Sequence, residues 1–275
     1  MVRRRGISTR LWPVVALGVS LIGCAGGVAE DRIGTTATPP VPQSANVRRA
    51  FAQATGPEWS GESGASGHPL MTAEAIRAAA ADFQGCLQRL YPAASKRGIP
   101  KQAYDSLTRD LTPDLKIMDL VDAQPEFTLA FWDYLDRLVS EERIQRWREI
   151  LAQNRAAFDA MEARYGVDRH VIAAIWGIES KYSTMMGERS VIRSTATLAC
   201  VGRRQDYFRN EFFAILELLN RGDVTPDEAK GSWAGAFGPT QFMPTVYKSY
   251  AIDADGDGKR DVVASVPDLL ASTAN

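Results

Sequence analysis

The chain reads as a mainly α protein on three observations. Apolar residues recur at three- and four-residue spacing over several stretches, as one face of a helix requires. Helix-starting residues stand before those stretches, and glycines close two of them. No sustained two-residue alternation marks a half-buried strand, and no internal repeat occurs. At 275 residues with 45% apolar content, the chain can bury a substantial core.

The elements follow in order. Arg3, Arg4, Arg5 and Arg10 precede a short apolar run, Leu11 to Ile22, which is too short to span a bilayer comfortably. Leu21-Ile22-Gly23-Cys24 resembles a bacterial lipobox, so residues 1–23 are predicted to be a lipoprotein signal peptide, with Cys24 lipidated as the mature N-terminus. Several acyl chains would anchor the protein stably to a membrane. Ala25 after the cysteine resembles outer-membrane lipoproteins facing the periplasm. The alternative is a simply cleaved signal peptide and a soluble periplasmic protein; either way the chain is exported. Residues 24–71, rich in Pro, Gly, Ser and Thr, are predicted to be a flexible tether, and 72–275 the folded domain.

Within that domain, Ala75 to Leu90 presents Phe83, Cys86, Leu87 and Leu90 on one helical face. Pro100 starts a second helix, and Gln124-Pro125-Glu126-Phe127 interrupts the chain before a third, Leu129 to Val139. Ser140 caps a long helix carrying Ile144, Trp147, Leu151, Phe158, Met161 and Tyr165, closed by Gly166. Asp206 to Arg221 turns Phe208, Phe212, Ile215 and Leu219 inward before Gly222, and Thr225-Pro226-Asp227-Glu228 reads as a capping box opening another helix.

Composition excludes two function classes. Net charge is −1, without the clustered basic excess of a nucleic-acid binder. Two His and three Cys, with no Cys-x-x-Cys, argue against zinc.

Two stretches carry chemistry. In Val171 to Tyr182, capped by Asp168, residues Ile172, Ile175, Trp176 and Glu179 share a helical face. A carboxyl on an apolar face is partly desolvated, its pKa rises, and it can hold a proton for a leaving oxygen as a glycosidase acid does. A Glu turned to solvent at a helix end is the plainer alternative. Gly231 to Pro244 places Gly231, Gly235 and Gly238 around Trp233 and Phe237, whose faces suit sugar rings, with Ser232 and Gln241 able to bond hydroxyls or amides. A Gly-rich turn with its aromatics packed inward fits the same residues.

Ile178-Glu179-Ser180-Lys181-Tyr182, Ser194-Thr195-Ala196-Thr197-Leu198-Ala199, Arg203-Arg204 and Gly231 to Pro244 together resemble the membrane-bound lytic murein transglycosylase B family. Gln124-Pro125-Glu126-Phe127, Arg143-Ile144, Tyr250-Ala251-Ile252-Asp253 and Ala271-Ser272-Thr273-Ala274-Asn275 extend the resemblance over roughly residues 76–275. It implies a lysozyme-like helical catalytic domain that takes peptidoglycan glycan strands and cleaves the β-1,4 bond between N-acetylmuramic acid and N-acetylglucosamine. Glu179 matches the family's single catalytic acid, while Tyr182, Ser232, Gln241, Phe242 and Met243 match or flank positions lining the glycan cleft. No cofactor is required for such chemistry. A water-using muramidase and a non-catalytic peptidoglycan-binding lipoprotein are the alternatives. Ser183 stands where the family usually has Gly, and the chain stops at Asn275 where members continue, so the resemblance implies a domain shortened at its C-terminus.

Asp253-Ala254-Asp255-Gly256-Asp257-Gly258-Lys259 opens like an EF-hand calcium loop, with Asp253, Asp255 and Asp257 at ligand positions and Lys259 offering its carbonyl. Ala264 replaces the usual closing Glu, and Asp268 resembles the later Asp that closes a longer loop in some family members; a structural Ca2+ is expected there, a solvated acidic turn being the alternative. Cys86 and Cys200, in an exported domain, suggest a disulfide, with two buried thiols as the alternative.

Overall fold

The computed structural model describes residues 58–123 and 129–275. The signal peptide, Cys24, the tether up to residue 57 and the Gln124–Phe127 interruption lie outside the described residues. None of the described helices is long and apolar enough to cross a membrane.

Twelve α-helices make up the described part: α1 (Ala73–Ala81), α2 (Phe83–Lys96), α3 (Lys101–Thr108), α4 (Lys116–Val121), α5 (Phe131–Leu138), α6 (Glu141–Gln153), α7 (Arg155–Tyr165), α8 (Arg169–Ser180), α9 (Val191–Cys200), α10 (Gln205–Arg221), α11 (Pro244–Tyr250) and α12 (Val266–Ala274). Two short strands, β1 (Arg189–Ser190) and β2 (Lys230–Gly231), pair antiparallel with Arg189 opposite Gly231.

The caps read from sequence form: Ser140 Oγ accepts from the Arg143 N–H and Asp168 from His170, while Gly166 and Gly222 end their helices in the left-handed conformation. Thr72 Oγ1, not singled out in the sequence, adds a cap on the Ala75 N–H. Two predicted helices are each divided. Ala75 to Leu90 breaks at Asp82 into α1 and α2, and the long helix after Ser140 breaks at Asn154 into α6 and α7. The capping box forms its reciprocal bonds, Thr225 N–H to Glu228 Oε2 (2.7 Å) and Glu228 N–H to Thr225 Oγ1 (3.3 Å), but closes a turn rather than opening a helix. The chain must reach β2 at Lys230, two residues beyond Glu228, and a helix would carry it past that pairing.

Residues 59–71, placed in the tether by composition, run against the domain instead. Ser60 bonds Asp119 through both its N–H and its hydroxyl, and the Arg77 guanidinium lies over the Trp59 ring. The tether expected from sequence is therefore longer than the structure allows.

Two hydrophobic cores organise the domain. The larger is built on α9 and α10, packed side by side, with α1 to α4, α11 and the Gly-rich segment around them. All of α9 except Arg193 is buried, so this helix is an axle rather than a surface. The smaller joins α6, α7, α8 and α12 through Ile150, Phe158, Ile172, Trp176, Leu270 and Ala271. Cys86 of α2 and Cys200 of α9 form the expected disulfide, with Cα atoms 6.0 Å apart.

Candidate active site

Glu179 belongs to the last turn of α8, whose N-terminus Asp168 caps. The buried arc of α8 is Ile172, Ala173, Trp176, Gly177 and Ser180. Ile175, expected on that face, is 36% exposed, and Glu179 lies beside it at the edge of the arc. The four-residue stripe is thus split between core and surface, because only its Ile172–Trp176 side meets α6, α7 and α12. Val171, Ile175 and Ile178 give the acid an apolar exposed flank. Although the residue as a whole is exposed, its carboxyl is dehydrated by its neighbours, which raises its pKa above the ordinary carboxylate value. Among the described residues the carboxyl has no hydrogen-bond or ion-pair partner to draw that pKa down. A carboxyl with a raised pKa at an exposed edge is what a general acid needs.

The segment after Glu179 runs from the smaller core to the Gly-rich segment of the larger one. Gly187 meets Gly231 so closely that a Cβ on Gly187 would stand 2.3 Å from the Gly231 carbonyl oxygen, and β1 then pairs with β2. Gln241, at a φ of 53°, donates its side-chain amide to the carbonyls of Met186 (3.1 Å) and Gly238 (3.0 Å). Ser232 Oγ accepts from the Ala236 N–H, and Thr240 bonds Thr273 of α12 at 3.1 Å. Gln241 therefore reaches the chain that leaves Glu179 at Met186, while the Ser232 side chain caps its own turn.

Other predicted residues are placed differently. Tyr182 is 6% exposed, with its ring edge-on to Trp176 and its hydroxyl so near Gly177 that a Cβ there would lie 2.5 Å from it. It is a packing residue first. Burial pushes the phenol above its ordinary pKa, against the opposing pull of Arg143 and Arg146. Phe242 is 7% exposed and belongs to the larger core, and Met243 packs against that core. Phe237, read as a possible sugar platform, is fully buried on Tyr247, while Trp233 is half-buried. The inward-packed reading holds for Phe237 because it bridges to Gly231 and Phe242 in a tight hairpin-like turn.

Asp253, Asp255 and Asp268 each bring a carboxylate oxygen within 4.8 Å of the others, and Asp257 stands outside this group. Asp268 is completely buried and accepts from the N–H groups of Ala254, Asp255 and Asp261. Asp257 Oδ1 instead accepts from the Lys259 N–H at 2.8 Å.

Sequence reasoning missed the Met186–Gly187 corner, which no motif marks, and the pairing of Trp176 with Ser183, for which the unusual serine was the signal. It also missed Glu211, a 2%-exposed carboxylate on α10 whose two oxygens accept from the Thr245 N–H and hydroxyl, fixing the start of α11 directly after Phe242 and Met243.

The family model described as "Transglycosylase SLT domain" matches residues 64–275. The chain belongs to the transglycosylase SLT domain family. A curated member similar to it, membrane-bound lytic murein transglycosylase B of Escherichia coli, is 33% identical over 147 residues, covering 53% of this chain and 40% of that protein. SltB3 from Pseudomonas aeruginosa, solved in complexes with NAG-NAM-pentapeptide and with NAG-anhNAM-pentapeptide, is 42% identical with a TM-score of 0.66, over 70% of this chain and 52% of that one. Lytic transglycosylase Slt35 of Escherichia coli, solved in complex with calcium, is 28% identical with a TM-score of 0.62, over 70% of this chain and 61% of that one. The SLT-domain chain thus spans between two fifths and three fifths of these relatives' length. Its lysozyme-like helical fold is that of the SltB and Slt35 structures.

Proposed function

We propose that the protein is a peptidoglycan lytic transglycosylase with Glu179 as its acid and base. The observation that carries this reading is the dehydrated carboxyl of Glu179 on the outer edge of α8, without a partner among the described residues, in a chain whose relatives include a transglycosylase complexed with a disaccharide-pentapeptide. Glu179 protonates the glycosidic oxygen between muramic acid and glucosamine, the bond from that oxygen to the muramic acid C1 breaks, and the glucosamine leaves with the proton on its 4-hydroxyl. As carboxylate it then takes the proton from the muramic acid 6-hydroxyl, whose oxygen attacks C1 of its own ring and closes a 1,6-anhydro sugar. Holding nucleophile and electrophile in one residue supplies the proximity, and no second carboxylate is needed. The complex of SltB3 with NAG-anhNAM-pentapeptide supports this product class. Ser232 and Gln241, on the Gly-rich segment, contact the glycan.

Mass spectrometry of soluble products from purified peptidoglycan is the test. Anhydro-muropeptides are expected; reducing ends in their place would move the assignment to a muramidase, and binding without product to a non-catalytic glycan-binding protein. Anchoring through Cys24 at the outer membrane completes the proposal, consistent with the membrane-bound character of the Escherichia coli relative.

The Asp253–Asp268 loop suits a structural Ca2+. The donor set is hard oxygen, and three clustered carboxylates repel one another until a cation neutralises them. Asp253, Asp255 and Asp268 would hold it and pin the loop to α12. Calcium at a hundred times its dissociation constant is expected to stabilise the fold by about 2.7 kcal/mol. Thermal unfolding in calcium against a chelator measures this, and Asp255→Asn should remove the difference. Identical midpoints in both conditions would leave the loop an acidic turn.

A further inference from the structure

Directly after Ser180, three residues in succession that carry side chains, Lys181, Tyr182 and Ser183, take positive φ values of 47°, 56° and 70°. L-residues avoid this region, and a run of three persists only where the surroundings over-determine it. The helix end accounts for the first two, since the Lys181 N–H donates to the Gly177 carbonyl (3.1 Å) and the Tyr182 N–H to Trp176 (3.4 Å). Ser183 is held by side chains. Its N–H donates to Ser180 Oγ (2.9 Å), whose own hydroxyl donates to the Trp176 carbonyl (3.2 Å). Its hydroxyl oxygen accepts from the Trp176 indole N–H at 3.0 Å. Trp176 is 5% exposed, so water is a poor substitute for that acceptor. A glycine would take the same φ without strain but leave the indole N–H unpaired.

We propose that Ser183 is a positioning residue: by accepting the Trp176 indole hydrogen bond it fixes the left-handed turn that follows Glu179. The turn hands its geometry on to Met186 and Gly187, where Gln241 and Gly231 are seated, so the spacing between the acid and the glycan-contacting side depends on it. The inference rests on the reading of Glu179 as the acid.

Three substitutions test it. Ser183→Ala keeps the strained backbone and removes the acceptor, Ser183→Gly removes both strain and acceptor, and Trp176→Phe removes the donor. On soluble glycan chains of disaccharide-pentapeptide, Ser183→Ala should lower kcat about tenfold with KM changed by less than about twofold. Ser183→Gly should recover most of that loss, and Trp176→Phe should add little in the Ser183→Ala background. Equal losses for Ala and Gly, or losses that follow the unfolding midpoint, would overturn the proposal. A second readout is independent of turnover. In NMR titrations of the Glu179 carboxyl carbon, Ser183→Ala should move the midpoint down toward the ordinary glutamate value while Ser183→Gly leaves it in place. An unmoved midpoint in Ser183→Ala overturns the positioning role. A wild type that makes no anhydro product, yet shows the expected titrations, overturns the proposed reaction alone.

Discussion

Replacing Glu179 with glutamine is expected to lower the rate of anhydro-muropeptide formation by about 10²–10⁴-fold, the span associated with a positioned general acid. Glutamine keeps the shape and can still hydrogen-bond, so glycan binding should survive. The wild type should lose kcat/KM as pH rises through the Glu179 pKa, which burial places above the ordinary value of about 4.3. The same shift fixes a stability signature. A carboxyl whose folded pKa is raised contributes stability that is fully present below its unfolded pKa and is lost as pH rises through the folded one. Glutamine cannot ionise. Glu179→Gln should therefore unfold at a higher temperature than the wild type near neutrality, with the gap closing in acid. A gap of opposite sign would mean that the carboxylate is favoured in the folded state and is not the proton donor.

The second large effect belongs to the disulfide. Cys86 and Cys200 are 114 positions apart, and closing a loop of about 100 residues removes chain entropy from the unfolded state worth about 4.7 kcal/mol. The double substitution Cys86→Ala, Cys200→Ala should lower the unfolding midpoint by on the order of 10 °C in a domain of this size. Thermal unfolding of the two proteins measures it; a fall of less than about 2 °C would show that the unfolded chain is already compact around this pair. Activity at room temperature should persist, since neither cysteine contacts the acid's segment.

Helix starts were legible because caps are local chemistry: Ser140 and Asp168 each satisfy an N–H two or three residues ahead, whatever the tertiary fold does. The breaks at Asp82 and Asn154 were not, because apolar spacing continues across a one-residue interruption. Glu179 stood out in the sequence as the candidate acid, but its place at the margin of the buried arc depends on which neighbours α8 meets, and those come from distant α6, α7 and α12. The fate of the aromatics turned on the same kind of long-range choice. Phe237 goes inward because Tyr247 offers it a ring, a partner that no local pattern names. Strain was half visible: Ser183 stood out, while Lys181 and Tyr182 beside it gave no sign of positive φ. Of the residues read in the acidic loop, Asp253, Asp255 and Asp268 cluster, while the Asp257 carboxylate accepts from the Lys259 N–H instead.

The Cys86–Cys200 bond also settles what a protease could release. Its covalent ring runs from Cys86 to Cys200, Glu179 included. One peptide bond cut anywhere between the two cysteines opens that ring without freeing a fragment, so the acid and the Gly-rich segment stay on a single molecule. Only a reductant, or a second cut, would part them.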